Sequence, residues 1–154
     1  MKSRQAERDD HQLLAEWNRE LQFDEGALPM ELAQIVDRLK RWLGSEYEAM
    51  IFEIDSIPIG YALFRPTDPD REGAGGVYLR HFFIAPACRR VGNGSRAFGL
   101  FVREVLRGRR LLLEALETNP GGQAFWSAVG LRVYSHAFEL RVATQAKPGR
   151  PASR

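Results

Sequence analysis

The residues best suited to chemistry crowd into one short run. Arg89 and Arg90 stand just before a closely spaced glycine pair, Gly92 and Gly94, with Val91 and Asn93 between them and Ser95 behind. The run follows an apolar stretch, 77–84, that stops at Pro86, and an amphipathic pattern opens directly after it. Strand, glycine turn and helix start in that order bring main-chain N–H groups, the positive end of a helix and fixed charge to one point. Such a point suits a phosphate-bearing ligand. Glycine lets the backbone approach without a Cβ in the way, and arginines can fork onto phosphate oxygens or lie over an adenine ring. A glycine pair alone is most often a plain turn; the strand before it and the helix after it raise this one above that reading.

Other reactive residues are sparse. Cys88 is the only cysteine, so no internal disulfide can form. It has no partner for nucleophilic catalysis and reads as a small loop residue. His11, His81 and His136 are too scattered for metal-ligand spacing, and no metal is expected.

The elements that must position the turn follow from periodicity. Asp9 and Asp10 can cap a first helix reaching about Leu21, with Leu13, Leu14, Trp17 and Leu21 on one stripe. A second helix is expected over 30–43, ended by Gly44. A hairpin follows, 47–54 and 57–64, turning at Asp55-Ser56, then an exposed loop over 66–76. Beyond the strand 77–84 come a helix over 92–106, a Leu-rich strand over 110–116 and a short helix over 121–129. Alternation predicts a last strand over 131–142, while 143–154 is Pro-, Ala- and basic-rich and expected to fray. The order is mixed α/β, with antiparallel hairpins and a crossover helix joining two parallel strands.

At 154 residues, this is one domain with room for a real core. The net charge of +2 is too small to imply nucleic acid. Arginines do concentrate from Arg89 to Arg110, where a solvated helix face is the plain explanation. No apolar run approaches the roughly 20 residues that span a membrane, and no secretory leader is evident. A cytoplasmic setting is the expectation.

At these residues the chain resembles the GNAT superfamily of acyl-CoA-dependent N-acyltransferases. Its main signature is an apolar residue and a proline, then Arg/Gln-x-x-Gly-x-Gly/Ala; Ile84, Pro86, Arg89, Gly92 and Gly94 hold those places. A second signature, Asn-x-x-Ala-x-x-x-Tyr-x-x-x-Gly-Phe, is matched in spacing by Asn119, Gly122, Trp126, Gly130 and Leu131. The resemblance runs from about Glu46 to Val142 and implies an N-acetyltransferase domain over 1–142. The fold implied is α+β: a mostly antiparallel sheet splayed between two parallel strands and flanked by helices. The family usually opens with a strand, which 1–8 looks too short and polar to supply. Either the start lies inside a longer chain or the sheet lacks that edge.

The resemblance further implies acetyl-CoA as acyl donor, lying between the strands 77–84 and 110–116. The pyrophosphate would rest on the amides of Val91, Gly92, Asn93, Gly94 and Ser95, with charge from Arg89 and Arg90. Backbone groups at Phe83 and Ile84 would hold the pantetheine and polarise the thioester. Asn119 would touch the pantetheine arm, and Phe125 and Trp126 would wall the thiol end, although both also suit core packing. A small-molecule or peptide amine would attack directly after losing a proton. His81, Glu114 and Glu117 are the candidate bases, and His81 could equally be structural. Trp126 replaces the tyrosine that acts as acid in many relatives, and an indole N–H does not ionise near neutral pH. Tyr134 is the phenol that could stand in. Asp24, Glu25 and Glu31, on the acceptor side in relatives, would favour a cationic amine. No nucleic acid or membrane partner is implied, and dimerisation, common among relatives, stays open.

The missing tyrosine leaves a second reading, a non-catalytic CoA-binding or regulatory domain of the same fold. A dinucleotide-binding domain fits less well, because no acidic residue follows on a second parallel strand about 20 residues on.

Overall fold

The computed structural model describes residues 1–68 and 75–140. The expected tail and residues 141–142 of the expected last strand lie outside these, as does the middle of the 66–76 loop. Strands β1 (Lys2–Gln5), β2 (Glu48–Ile54), β3 (Ile57–Pro66), β4 (Gly76–Ile84) and β5 (Arg110–Leu113) form one sheet in that order. The first three pairings are antiparallel, and β4 with β5 is parallel.

The opening strand corrects the sequence expectation. Lys2–Gln5 pairs with Met50–Glu53 and closes that edge of the sheet. Its polarity hid it from any search for apolar alternation, yet charged residues are what an edge strand needs to resist further pairing. Arg4 pins it, donating to Glu53 (2.7 Å) and to both carboxylate oxygens of Asp10 (2.7 and 2.8 Å), while Ser3 bonds Glu104. Asp10 also accepts the Glu7 N–H, so the cap precedes the expected one and closes a 3-10 turn, Arg8–Asp10.

Helices α1 (His11–Asp24) and α2 (Leu32–Leu43) cover one face. Leu14, Trp17, Leu21, Ile35 and Leu39 bury there against Ile51, Tyr61, Leu63 and Phe83. Helix α3 (Asn93–Phe101), its extension in wider π geometry (Val102–Leu106), and α4 (Pro120–Ala128) cover the other. Phe98 and Phe101 pack there on Phe52, Phe64 and Leu79. Asp55 and Ser56 turn the β2–β3 hairpin with φ of 50° and 65°, the left-handed pair that matches strand twist.

A bulge decides which way β4 presents its side chains. Leu63 faces His81 but Phe64 faces Leu79, so Arg80 is the extra residue. Parity resets there: Val77 and Leu79 share a face with Phe82 and Ile84, whereas His81 and Phe83 turn to the α1–α2 side. The parity break is therefore at Arg80.

The expected last strand does not form among the described residues. Residues 131–140 join no ladder, and Val133, Tyr134, Phe138 and Leu140 are exposed. Alternation supplies one strand's pattern but not a partner, and β5, with four half-exposed residues, offers a short edge.

Candidate functional site

Strands β4 and β5 pair from Gly76↔Arg110 to Leu79↔Leu113 and then part. From Arg80 to Ile84, β4 keeps its partner β3 on one edge and has none on the other among the described residues. The gap is the mouth of a cleft of about 690 Å³. Its walls are β4 beyond Leu79, the glycine turn, the 113–116 segment, α4 and the C-terminal end of α1.

Ladder alternation tells which amides face the opening. Ala85 donates to Ile59 O (2.8 Å), so the N–H groups of Phe83 and His81 also point to β3. Those of Phe82 and Ile84 point into the cleft. Of the two expected backbone contacts, Ile84 is on the open edge; Phe83 lines the cleft with its ring, its amide being engaged by β3.

At the end of β4 a short 3-10 turn, Pro86–Cys88, leads to the glycine turn. Arg90 (φ 63°) and Gly92 (φ 80°) take left-handed backbone, which a glycine adopts without strain. Among the described residues amides 91–95 then meet no acceptor: the first helical hydrogen bond is Arg96 N–H to Gly92 O, and Gly92 carries no side-chain cap. Four orphan donors at a helix start are normal, and a ligand or water must satisfy them. A Cβ on Gly94 would lie 3.1 Å from Phe125 Cε2, so a side chain there would fill the space where turn and α4 meet.

Arg89 works as a fastener. It donates to Ile84 O (2.6 Å), pairs with Asp24 (2.7 Å) and lies over the Phe83 ring at 5.1 Å. Half of its charge is thus answered by α1, and exposed Arg90 is the freer cation. Asn93 is buried, its side chain bonding Cys88 O (3.0 Å), and contributes through its amide only. Asn119 borders the cleft but also caps α4, accepting Gly122 N–H at 2.9 Å. Gly122 makes room for it, since a Cβ there would sit 2.8 Å from Asn119 Nδ2. Phe125 stacks on Phe82 (5.7 Å between centroids) and Trp126 meets both at 4.9 and 5.4 Å, forming an aromatic floor.

The three catalytic candidates separate. Glu114 lines the cleft just past β5, with Tyr78 O–H donating to it at 3.4 Å. His81 does not line it: the ring is enclosed by Asn18, Trp42 and Tyr61, with Tyr61 Oη 3.0 Å from Nδ1. Burial, reinforced by Arg80 and Arg38, pulls its pKa down to about 3, so it is neutral at physiological pH and a poor base. Tyr134 is exposed at the opposite end of β5, its ring beneath Arg110 (4.4 Å). That placement removes it from the cleft.

Two charged residues, Glu25 and Arg80, stand in the cleft wall near the end of α1. Glu25 was expected only as one of three acidic wall residues. It is half-buried in the cleft wall, and burial pushes its carboxyl above the usual range despite nearby Arg80. Arg80 was not singled out, although one charge inside the apolar run 77–84 is a readable signal for a bulge or a site. Glu31 occupies the position just before α2, without a side-chain capping bond, and does not line the cleft. Among the described residues no helix is long and apolar enough to cross a membrane, and no group of three or more His, Cys, Asp or Glu could hold a metal.

Comparison with known proteins agrees with this architecture. The possible acetyltransferase of Clostridium difficile 630 superposes with a TM-score of 0.78 at 13% identity, over 93% of this chain and 98% of that one. A predicted acetyltransferase with acetyl-CoA from Clostridium acetobutylicum gives 0.72 at 19%, over 91% and 95%. The GNAT family acetyltransferase of Staphylococcus aureus gives 0.68 at 17%, over 92% and 98%. At such identities the likeness speaks for the fold. No curated protein matches in sequence. The family model of the GNAT acetyltransferases matches residues 10–131, spanning both helical layers and the cleft, and the chain belongs to that family.

Proposed function

We propose that the protein transfers the acetyl group of acetyl-CoA to a primary amine by direct attack within the cleft. One observation carries this: a row of amides, 91–95, without acceptors among the described residues, at a helix start beside the open edge of β4. The diphosphate fits those donors, assisted by Arg90 and the Ser95 hydroxyl. The pantetheine fits along Phe82 and Ile84, whose amides supply the strand pairing that β5 does not. The aromatic floor of Phe82, Phe125 and Trp126 excludes water from the thiol end.

An ammonium must lose a proton before it attacks. Glu25 is the carboxylate with the raised proton affinity and the position for that task, ahead of Glu114 and ahead of His81, which is enclosed and neutral. Glu25 takes the ammonium's first proton and releases it to water; the neutral nitrogen then bonds the acetyl carbon, the carbon–sulfur bond breaks, and the nitrogen's second proton goes through solvent to the departing thiolate, giving amide and CoA. The thiolate leaves without a phenol beside it, since Trp126 holds the tyrosine position. Compartment and oligomeric state play no part in this reading.

Calorimetry with acetyl-CoA and CoA, followed by a transfer screen over polyamines, amino acids, aminoglycosides and peptide N-termini, tests it. Binding with turnover is the expected result. Tight CoA binding with no transfer to any amine would instead favour a CoA-binding regulatory domain, the reading that the tryptophan keeps open.

A further inference from the structure

Two guanidinium groups share one indole ring beside the cleft, and among the described residues neither is ion-paired. Arg38, from α2, and Arg80, from the β4 bulge, each place Cζ 4.8 Å from the centroid of the same Trp42 ring. Their charges are therefore no further apart than twice that distance. Neither makes an ion pair among the described residues. Arg38 spends its terminal nitrogens on Asn18 Oδ1 (2.7 Å) and Met30 Sδ (3.0 Å), and its buried Nε has no hydrogen-bond partner among the described residues. Arg80 is exposed, lines the cleft, and makes no hydrogen bond there.

That arrangement is costly as it stands. Like charges this close repel, and the repulsion is felt at Arg38, whose guanidinium is held below its usual basicity by burial first and by Arg80 next. The aromatic ring offers each cation its negative face but cannot neutralise either. An anion can. Guanidinium groups with open donors are suited to a planar carboxylate. Across the cleft stands Glu25, close enough to feel Arg80 electrostatically yet without an ion pair to it. The acceptor end thus offers a positive point and a negative point within one small space.

We propose that Arg80, backed by Arg38 across Trp42, binds a carboxylate carried by the acceptor, so that the substrate is an amine with a carboxylate a few bonds away, as in an amino acid. The reading rests on the acetyltransferase assignment and adds the substrate class to it. The carboxylate docks on Arg80, the ammonium faces Glu25, and an amine lacking the acid group loses its anchor. Polyamines and aminoglycosides, which carry only positive charge, meet repulsion from the same pair.

The test is a matched panel: free L-amino acids against their carboxamides, which keep the amine and remove the negative charge. Free acids should be preferred by on the order of tenfold or more in kcat/KM, the yield of one charge-assisted contact. Arg80→Met should erase that preference mainly through KM, and Arg80→Lys should restore part of it, with acetyl-CoA affinity as the control in each variant. Equal use of acids and amides, or an Arg80→Met loss that falls alike on both, overturns the proposal while leaving the acetyltransferase intact. Calorimetry of the same acids and amides, with and without saturating CoA, separates the two ideas. Binding of acids alone, lost in Arg80→Met, upholds this site even if no amine is ever acetylated; absent or charge-blind binding overturns it.

Discussion

The two ends of the cleft are made of different material. Its donor end is main chain: consecutive amides, 91–95, set by two left-handed residues and delivered by one turn between β4 and α3. The end proposed for the acceptor is side chain: Glu25 just past α1 and Arg80 from β4 line it, and Arg38 from α2 shares the Trp42 ring with Arg80. A main-chain site depends on local backbone shape and tolerates changes in the side chains that decorate it. A side-chain site can be rewritten one residue at a time. The difference assigns a constant ligand to the first and a variable one to the second, which is how one fold serves many substrates.

The sharpest way to break the comparison is to give the donor end a side chain. Gly94→Asp would set a Cβ against Phe125 and a negative charge where the amides converge. CoA affinity should fall by about a thousandfold, from steric exclusion together with like-charge repulsion. Calorimetry reads it, with circular dichroism to show the fold persists; unchanged affinity would mean that the diphosphate sits elsewhere. Ser95→Ala, which leaves every amide in place, makes the paired control.

The acceptor end should fail differently. Glu25→Gln keeps shape and hydrogen bonding but removes the proton acceptor, and kcat should drop by about a hundredfold, within the usual reach of proton-transfer catalysis. Because burial raises the Glu25 pKa, the carboxylate is protonated at pH values where an ordinary glutamate is already ionised. The wild-type kcat/KM should therefore climb with pH along an acidic limb above the normal carboxylate range. That limb should vanish in the variant. A surviving limb, with kcat intact, would hand the role to Glu114.

The same division explains what the sequence made legible. A main-chain site is encoded contiguously, so Pro86, Arg89, Gly92 and Gly94 pointed to the turn proposed here as the donor end, and Asn119 and Trp126 to the helix that walls the same cleft. The parallel splay of β4 and β5 followed from one crossover helix. The acceptor end was faint because Glu25, Arg38 and Arg80 are far apart in the chain and meet only through α1 and α2 packing on the sheet. Arg80 had a local sign, a charge within an apolar strand, and the bulge beneath it shifted every later side chain by one face. That shift is why His81 turns to the α1–α2 side, away from the cleft, where simple alternation would set it on the face of Val77 and Leu79. Strand β1 was missed because edge strands are polar for a reason that periodicity does not measure. The 131–140 run erred the other way, being apolar in alternation without a partner.

His81 offers a milder test, of stability instead of rate. Its folded pKa, about 3, lies well below the ordinary 6.5, so the unfolded chain takes up a proton that the folded chain refuses. The neutral-histidine contribution is complete above pH 6.5 and is lost as pH falls toward 3. The slope approaches about 1.4 kcal/mol per pH unit inside that window. His81→Gln should flatten the denaturation profile between pH 6 and pH 4 by about one proton's worth. An identical slope in the variant would mean that the ring protonates freely in the folded state, and would reopen it as a base.

The smallest effect is expected at Trp126, where the two ends of the cleft meet. Its ring packs on Phe82, Phe98 and Phe125, so its work is to exclude water and hold the floor flat. An indole N–H can donate a hydrogen bond but does not give up its proton at neutral pH. Trp126→Phe keeps an aromatic surface and removes only that donor, and the rate should fall by less than about tenfold. Trp126→Tyr restores the family's usual phenol at the same register and gives the thiolate a proton source. If departure of the thiolate limits turnover, the tyrosine variant should exceed the wild type; if amine deprotonation at Glu25 limits it, the two should match. A loss beyond about a thousandfold in the phenylalanine variant would place the indole among the groups acting on the reacting atoms, against the packing role argued from its ring contacts.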